Sequence, residues 1–149
     1  MKIILPGKPI PKARPRFRGK FAYDSQKPEK YYIQMQMHQF VETIANGLDL
    51  PYNQRLHIDL TFHTLIPKNP SERKRMAFIG QFPETKPDLD NLIKFYLDCG
   101  NHILWRDDKL IVDLHAKKIY SLEPRTEIEF WPITNLLPKS TESVERDYI

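Results

Sequence analysis

The sequence predicts a single α+β domain in which a mixed β-sheet packs against two main helices. The 149-residue chain is 40% hydrophobic and 11% aromatic, which is enough for one core but not for two. Its apolar residues also recur with helical spacing in two segments and alternate as in a strand in another. We expect residues 1–133 to form the domain and residues 134–149 to be a flexible C-terminal tail.

Composition excludes several classes of protein. The chain has one cysteine, Cys99, so it can form neither an intrachain disulfide nor a cysteine-rich zinc site. The apolar run at the N-terminus is too short for a signal-peptide core, and no later run approaches the ~20 apolar residues of a membrane span. We therefore expect a soluble, cytoplasmic protein.

The first twenty residues are a cationic segment. They contain seven Lys or Arg and no acid, which leaves 16 of the 23 basic residues against 19 acidic ones elsewhere. After a first strand over about residues 2–5, four prolines exclude a helix and predict an extended loop. Phe17 and Phe21 lie among its cations. The segment is either a flexible arm that aids solubility or a surface for a polyanion, most obviously nucleic acid.

An amphipathic helix is predicted over residues 27–45. Pro28 lies near its start and Gly47 just beyond its end, as at many helix termini. The apolar residues at helical spacing, which we expect in the core, are Ile33, Met37, Phe40, Val41 and Ile44.

The next segment, residues 55–66, alternates like a half-buried strand. Leu56, Ile58, Leu60 and Phe62 form one face, and His57, Asp59, Thr61 and His63 form the other. Two histidines on one strand face can ligate a metal. No cysteine or further histidine lies nearby in sequence, so we interpret this face as polar surface.

The remaining segments complete the sheet. Residues 67–86 read as a loop with one helical turn after Ser71, and the RKR within it adds a second cationic patch. Residues 108–120 and 126–131 are predicted to be strands joined by a turn around Pro124.

Five aspartates fall within residues 86–111, KPDLDNLIKFYLDCGNHILWRDDKLI, although the whole chain has a net charge of +4. Asp88 or Asp90 suits the N-cap of a helix over residues 91–99 that ends at Gly100. Asp107 and Asp108 come at the entrance of the next strand, which we expect beside the helix start. The helix places Leu92, Ile93, Tyr96 and Leu97 on one arc and Asp90, Asn91, Lys94 and Asp98 on another.

Convergent carboxylates have two interpretations. In the first they are structural: Asp88 and Asp90 cap the helix, Lys94 bridges Asp90 and Asp98, and the Asp107–Asp108 pair closes a turn, each interaction contributing about 0.3 to 1 kcal/mol. In the second they bind a cation, because gathered carboxylates repel one another unless they are protonated or neutralised. Oxygen ligands alone suit Mg²⁺ or Mn²⁺.

The motifs KPDLDNLIK and WRDD, with GKPIPKARPRFR before them, resemble the RusA family of Holliday-junction resolvases, small endonucleases typical of bacteria and their prophages. The resemblance spans about residues 3–128. The chain departs from the family in a longer loop over residues 69–85 and in the tail after residue 133, which concern DNA docking rather than the chemistry.

The resemblance implies a nuclease that cuts four-way DNA junctions by paired nicks in recombination and repair. It implies that Asp88, Asp90 and Asp108 ligate Mg²⁺, for which Mn²⁺ can substitute. Next to Asp108 in sequence, Asp107 is a candidate auxiliary ligand. The resemblance also implies that Lys94 is required for cleavage and that a homodimer carries two active sites. Such a nuclease needs acidic residues to bind Mg²⁺ and basic residues to attract the phosphates of DNA.

Two alternatives stay open: a noncatalytic protein of the same fold that binds DNA structures, and a related nuclease acting on forks or flaps. We expect a set of cations to contact DNA. They are Lys8, Lys12, Arg14, Arg16, Arg18, Lys20, Lys86, Lys117 and Lys118.

Overall fold

The computed structural model describes residues 1–68 and 71–134 and confirms the α+β fold. Its strands and helices are β1 (Lys2–Pro6), β2 (Arg16–Arg18), β3 (Phe21–Tyr23), α1 (Lys27–Thr43), β4 (Leu56–Leu65), α2 (Glu72–Ala77), α3 (Leu89–Gly100), β5 (Ile111–Ser121) and β6 (Arg125–Pro132). A 3₁₀ turn, Asp108–Leu110, precedes β5. The tail predicted for residues 134–149 lies outside the described residues from residue 135 onward.

The main sheet is mixed, with strand order β1-β6-β4-β5. β4 pairs in parallel with β5 and antiparallel with β6, which pairs antiparallel with β1. α3 lies in the connection between the two parallel strands. Such a crossover begins at the C-terminal end of the first strand and returns to the N-terminal end of the second. Residues just before α3 and residues just after it therefore lie toward opposite ends of the sheet.

The core lies between one face of this sheet and the two longer helices. The predicted inward face of β4, from Leu56 to Phe62, is at most 1% exposed at each of its four residues. The two helices add Ile33, Met37, Phe40, Leu92, Phe95, Tyr96 and Cys99, all buried. Ile44 is a correction: it is 74% exposed, because α1 ends at Thr43 and Ala45 turns inward instead.

The cationic segment is more ordered than an extended loop. It contains a two-stranded hairpin formed by Arg16–Arg18 and Phe21–Tyr23. The four prolines predicted a loop for the whole segment, but all of them lie before the hairpin. Gly19 turns this hairpin with a φ of 63°, a left-handed conformation that glycine adopts without strain. Gln26 holds the segment in place: its Oε1 accepts a 2.7 Å hydrogen bond from Ala13 N, and its Nε2 donates a 2.8 Å hydrogen bond to Pro11 O.

The outward face of β4 also differs from the expected polar surface. His57 and His63 are only 8% and 6% exposed. His57 stacks on Trp131 with ring centroids 4.3 Å apart, and His63 Nε2 lies 3.1 Å from Glu127 Oε2. Neighbouring strands cover both imidazoles, and no feature of β4 alone reveals this.

The predictions for the segment after Ser71 and for the C-terminal strands agree with the structure, except that residues 108–110 form a 3₁₀ turn and not the start of a strand. The helical turn after Ser71 is α2, and Ser71 Oγ accepts a hydrogen bond from Lys74 N. The two C-terminal strands are β5 and β6. None of the helices within the described ranges is long and apolar enough to cross a membrane.

Candidate functional site

Asp88 occupies the N-cap position of α3, but its side chain does not cap the helix. Its carbonyl oxygen accepts a hydrogen bond from Leu92 N, whereas its carboxylate makes no capping hydrogen bond. Asp90 follows in the first turn, and both residues are exposed. Among residues 1–68 and 71–134, neither carboxylate has a hydrogen-bond or ion-pair partner. The capping interpretation therefore fails for Asp88, and both carboxylates are available at a helix N-terminus.

Lys118 fixes the backbone that leads into Asp88. From β5, its Nζ donates a 2.8 Å hydrogen bond to Thr85 O and a 2.9 Å hydrogen bond to Pro87 O. Lys118 is paired with Phe62 in the sheet register, so it lies on the face that the helices cover. A residue predicted to bind DNA thus has its ammonium group engaged by backbone carbonyls.

A cleft of about 400 Å³ opens beside Asp88 and brings the acidic and basic parts of the sequence together. Lys8 and Lys86 line it and are exposed. Lys12 lines it as well, but its Nζ forms a 3.1 Å ion pair with Asp98, and its backbone N donates to Asn91 O. The cleft therefore places exposed ammonium groups next to the carboxylate of Asp88. Its lining is Lys8, Pro9, Pro11, Lys12, Lys86, Pro87, Asp88 and Asn91.

Lys94 is exposed on the outer side of α3, one turn beyond Asp90. Within the part of the chain that the structure describes, Lys94 forms no ion pair with Asp90 or Asp98, and Asp98 pairs with Lys12 instead. The structural interpretation of Lys94 as a bridge between these two aspartates is therefore not realised.

Asp107, in contrast, fits its structural interpretation. Its Oδ1 accepts a 3.0 Å hydrogen bond from Lys109 N and closes the 3₁₀ turn. This hydrogen bond lowers the pKa of the Asp107 carboxyl. Asp108 is the first residue of the turn and is half-buried.

The structure separates the two pairs of aspartates within one chain. Asp88 precedes α3 and Asp107 follows it, and a 12-residue helix is about 18 Å long. The Lys118–Pro87 contact places Asp88 near the C-terminal part of β5, whereas Asp108 lies just before the first residue of that strand. The strand from position 111 to position 118 spans about 23 Å. The expectation that Asp107 and Asp108 lie beside the helix start is therefore wrong, because the parallel crossover sends the chain to the other end of the sheet.

The cations of the hairpin, and Arg14 just before it, stay available for a partner. Arg14, Arg16, Arg18 and Lys20 are exposed. Phe17 and Phe21 are 71% and 80% exposed beside them. Lys117 is also exposed, but it pairs with Thr61 in the register and so lies on the face of the sheet away from α3 and the cleft.

Sequence reasoning missed two features of this molecule. One is the anchoring role of Lys118, which no local pattern signals. The other is a cluster on the outer face of the sheet, where His57, Asp59 and His115 place donor atoms within 4.8 Å of one another. Each half of the cluster is visible in the sequence, as His57-Ile58-Asp59 and Asp113-Leu114-His115, but only the β4–β5 register shows that the halves meet.

Comparison with known proteins shows the family to which this chain belongs. The family model described as endodeoxyribonuclease RusA matches residues 6–130, from the end of β1 to β6, and thus includes Asp88, Lys94 and Asp108. The chain belongs to the RusA endodeoxyribonuclease family, as the sequence motifs implied. It is 32% identical to the uncharacterized protein YqaN of Bacillus subtilis (strain 168) over 139 residues, which cover 86% of this chain and 93% of the relative.

Proposed function

We propose that this protein is a Mg²⁺-dependent nuclease that resolves four-way DNA junctions by paired, symmetric nicks during recombination and repair. One observation carries the proposal: Asp88 and Asp90 hold carboxylates without a partner among the described residues, and Asp88 lines a cleft with Lys8 and Lys86. Carboxylate oxygens are ligands that Mg²⁺ prefers, and Mn²⁺ can replace it. When bound, such a cation polarises the scissile phosphate and lowers the pKa of water.

Each side chain has a role in this proposal. Asp88 and Asp90 hold the cation, and Asp108 is its third protein ligand. Lys8 and Lys86 attract and orient the phosphate at the cleft, since a lysine ammonium is a strong point charge for phosphate. Lys94 stabilises the negative charge that develops on the phosphate during in-line attack by water, which leaves a 5′-phosphate and a 3′-hydroxyl.

A homodimer accounts for the distance between Asp88 and Asp108 in one chain. If α3 of one subunit lies antiparallel to α3 of the other across a two-fold axis, the start of each helix meets the end of its partner. Asp88 and Asp90 would then share a site with Asp108 of the partner subunit. Such a dimer has two identical composite sites, and a four-way junction needs two symmetric cuts.

Single-turnover cleavage of synthetic DNA tests the activity. The wild-type protein is incubated with a four-way junction, a duplex and a fork, with and without Mg²⁺. We expect Mg²⁺-dependent paired nicks in the junction and little cleavage of the duplex. Binding without cleavage would support the noncatalytic alternative, and equal or faster cleavage of the fork would make forks the substrate.

Mixing two inactive variants tests the composite site. In a heterodimer of Asp88→Asn and Asp108→Asn chains, a site shared between subunits leaves one site intact and the other doubly substituted. We therefore expect the mixture to regain nicking of one strand, which neither variant shows alone. If each site is built within one chain, no heterodimer contains an intact site, and the mixture stays inactive.

A further inference from the structure

A cluster of side chains of the types that ligate metal ions lies on the face of the sheet that α1 and α3 do not cover. The register of the parallel strands pairs His57 with Asp113 and Asp59 with His115. Because paired residues of neighbouring strands point to the same face, all four side chains meet there. Among residues 1–68 and 71–134, His57, Asp59 and His115 form the one group of three whose possible ligand atoms all lie within 4.8 Å of one another.

The spacing of these atoms is close to that of a tetrahedral site. His57 Nε2 lies 3.0 Å from Asp59 Oδ1, and His115 Nδ1 lies 3.7 Å from the same oxygen. Nitrogen and oxygen ligands at about 2.0–2.2 Å from Zn²⁺ in a tetrahedron are about 3.3–3.6 Å apart. Small side-chain movements would therefore bring all three atoms to bonding distance of one ion.

The imidazole of His57 is held in place on both sides. Its Nδ1 is 2.6 Å from Asp113 Oδ2, and its ring stacks on Trp131. A carboxylate on the second ring nitrogen is the usual partner of a metal-ligating histidine, because it fixes the tautomer and leaves the other nitrogen for the metal. His57 is only 8% exposed, so this orientation is set before any ion binds.

An ion-pair cluster is the competing explanation, and it holds His57 much more closely than His115. Burial lowers the pKa of His57, but hydrogen bonds to Asp113 and Asp59 outweigh it and raise the pKa above 6.5. His115, however, places its Nδ1 3.7 Å from Asp59 and its Nε2 3.8 Å from Asp113. Both distances are too long for hydrogen bonds, so only charge attraction holds His115 beside the two carboxylates.

The surroundings favour a cation with an open coordination position. A cavity of about 390 Å³ opens at Asp59 and His115 and is also lined by Glu127 and Glu129. Lys117 is the cation in its lining. The acidic lining raises the local concentration of cations, and the cavity leaves room for water in the fourth position.

We propose that His57, Asp59 and His115 bind one Zn²⁺ ion, with Asp113 orienting His57. Two imidazoles and one carboxylate are a ligand set typical of Zn²⁺ rather than of Mg²⁺, which prefers oxygen. The ion links β4 to the edge strand β5. This site lies on the opposite face of the sheet from Asp88 and is independent of the proposed nuclease centre.

Equilibrium dialysis of the metal-stripped full chain against Zn²⁺, without DNA, tests the proposal. The side chain of His115 is 74% exposed, so His115→Gln leaves the fold intact while removing a ligand. His38→Gln is the matched control, because His38 is an exposed histidine on α1. Asp90→Asn controls for binding at the other acidic site. Cys99 does not compete, since burial raises the pKa of its thiol to about 12.

We expect one tightly bound Zn²⁺ per chain in the wild type, His38→Gln and Asp90→Asn, and its loss in His115→Gln. Asp113→Asn should weaken binding by about 10- to 100-fold, as loss of an orienting carboxylate does. Zn²⁺ should also raise the melting temperature of the wild type and not that of His115→Gln. Equal Zn²⁺ binding by wild type and His115→Gln, or no binding by the wild type, would overturn the proposal whether or not the protein cuts DNA.

Discussion

Lys118 of β5 donates a 2.9 Å hydrogen bond to the carbonyl oxygen of Pro87, the residue before Asp88. The same ammonium group also donates a hydrogen bond to Thr85 O. It therefore fixes residues 85–87 to the sheet immediately before Asp88, the proposed metal ligand at the N-cap of α3. Lys118, which the sequence predicted to contact DNA, thus positions the backbone before Asp88.

Lys118→Met should therefore reduce catalysis through Asp88 rather than through DNA binding. Met keeps the apolar stem but cannot hold the two carbonyls, and a shift of about 1 Å in a reacting group can lower the rate by up to about 100-fold. We expect a roughly 10- to 100-fold lower single-turnover rate at saturating junction. Lys117→Met removes the same charge from the other face of the sheet and is the control. Equal rates for the two variants would contradict the anchoring role.

Asp90→Asn should abolish cleavage while leaving junction binding unchanged or tighter, because a negative charge near the DNA is removed. Ca²⁺ should support binding but little cleavage, since it is larger and less strict in geometry than Mg²⁺. Asp98→Asn, two turns further along α3 and paired with Lys12, is the control and should keep most of the activity. A fully active Asp90→Asn protein would remove Asp90 from the site.

Lys94→Ala should lower the cleavage rate by about 100-fold or more at nearly constant binding and melting temperature, because a charge interaction made mainly in the transition state contributes a few kcal/mol. The change breaks no ion pair to Asp90 or Asp98 within the described residues. Lys94→Arg keeps the charge but changes its shape, and it should restore activity only in part. Lys74→Ala on α2 is the control, and wild-type cleavage by Lys94→Ala would refute the assignment.

The triple change of Arg14, Arg16 and Arg18 to Ala should weaken junction binding and flatten its salt dependence. The log-log slope should fall by about 0.9 for each phosphate of the duplex arms that the variant no longer neutralises. The control is the triple variant of α2 in which Arg73, Lys74 and Arg75 are changed to Ala, because it lowers the net charge by the same amount. If both triple variants keep the wild-type slope, the hairpin does not contact phosphates.

Glu127 should stabilise the fold above its pKa and lose this effect in acid. Burial raises the pKa of Glu127, but contacts with His63, Arg125 and Lys2 outweigh it and hold the pKa below the ordinary 4.5. Its contribution is fully present above pH 4.5 and disappears as the pH falls through the lowered pKa of the folded state. Glu127→Gln should reduce the free energy of unfolding by about 1 kcal/mol at about pH 7 and less in acid.

Denaturant titrations at several pH values measure this effect. Glu129→Gln is the control, because Glu129 is more exposed and pairs with Lys2 alone among the described residues. A pH-independent difference between Glu127→Gln and the wild type would contradict the pKa shift as its source.

The sequence by itself determined the family and the local elements other than the β2–β3 hairpin. Alternation identified the buried face of β4, and helical spacing identified α1, because both periods follow from backbone geometry alone. On α3 the predicted inward arc was half right: Leu92 and Tyr96 are buried, but Ile93 and Leu97 are only partly buried. The buried Phe95 and Cys99 were not predicted. The motifs around Asp88 and Asp108 identified the nuclease family, to which the chain belongs. Helical spacing was wrong for Ile44, because it does not show that α1 ends at Thr43, one residue earlier.

Only the tertiary structure decided which residues meet. The parallel pairing of β4 with β5 places α3 between Asp88 and Asp108 and so holds apart two motifs that are close in sequence. The same pairing brings His57 and His115, 58 positions apart in the chain, into one cluster of potential metal ligands. Register and crossover direction follow from the packing of the whole sheet rather than from the propensities of single segments, so neither relationship could be read from the sequence.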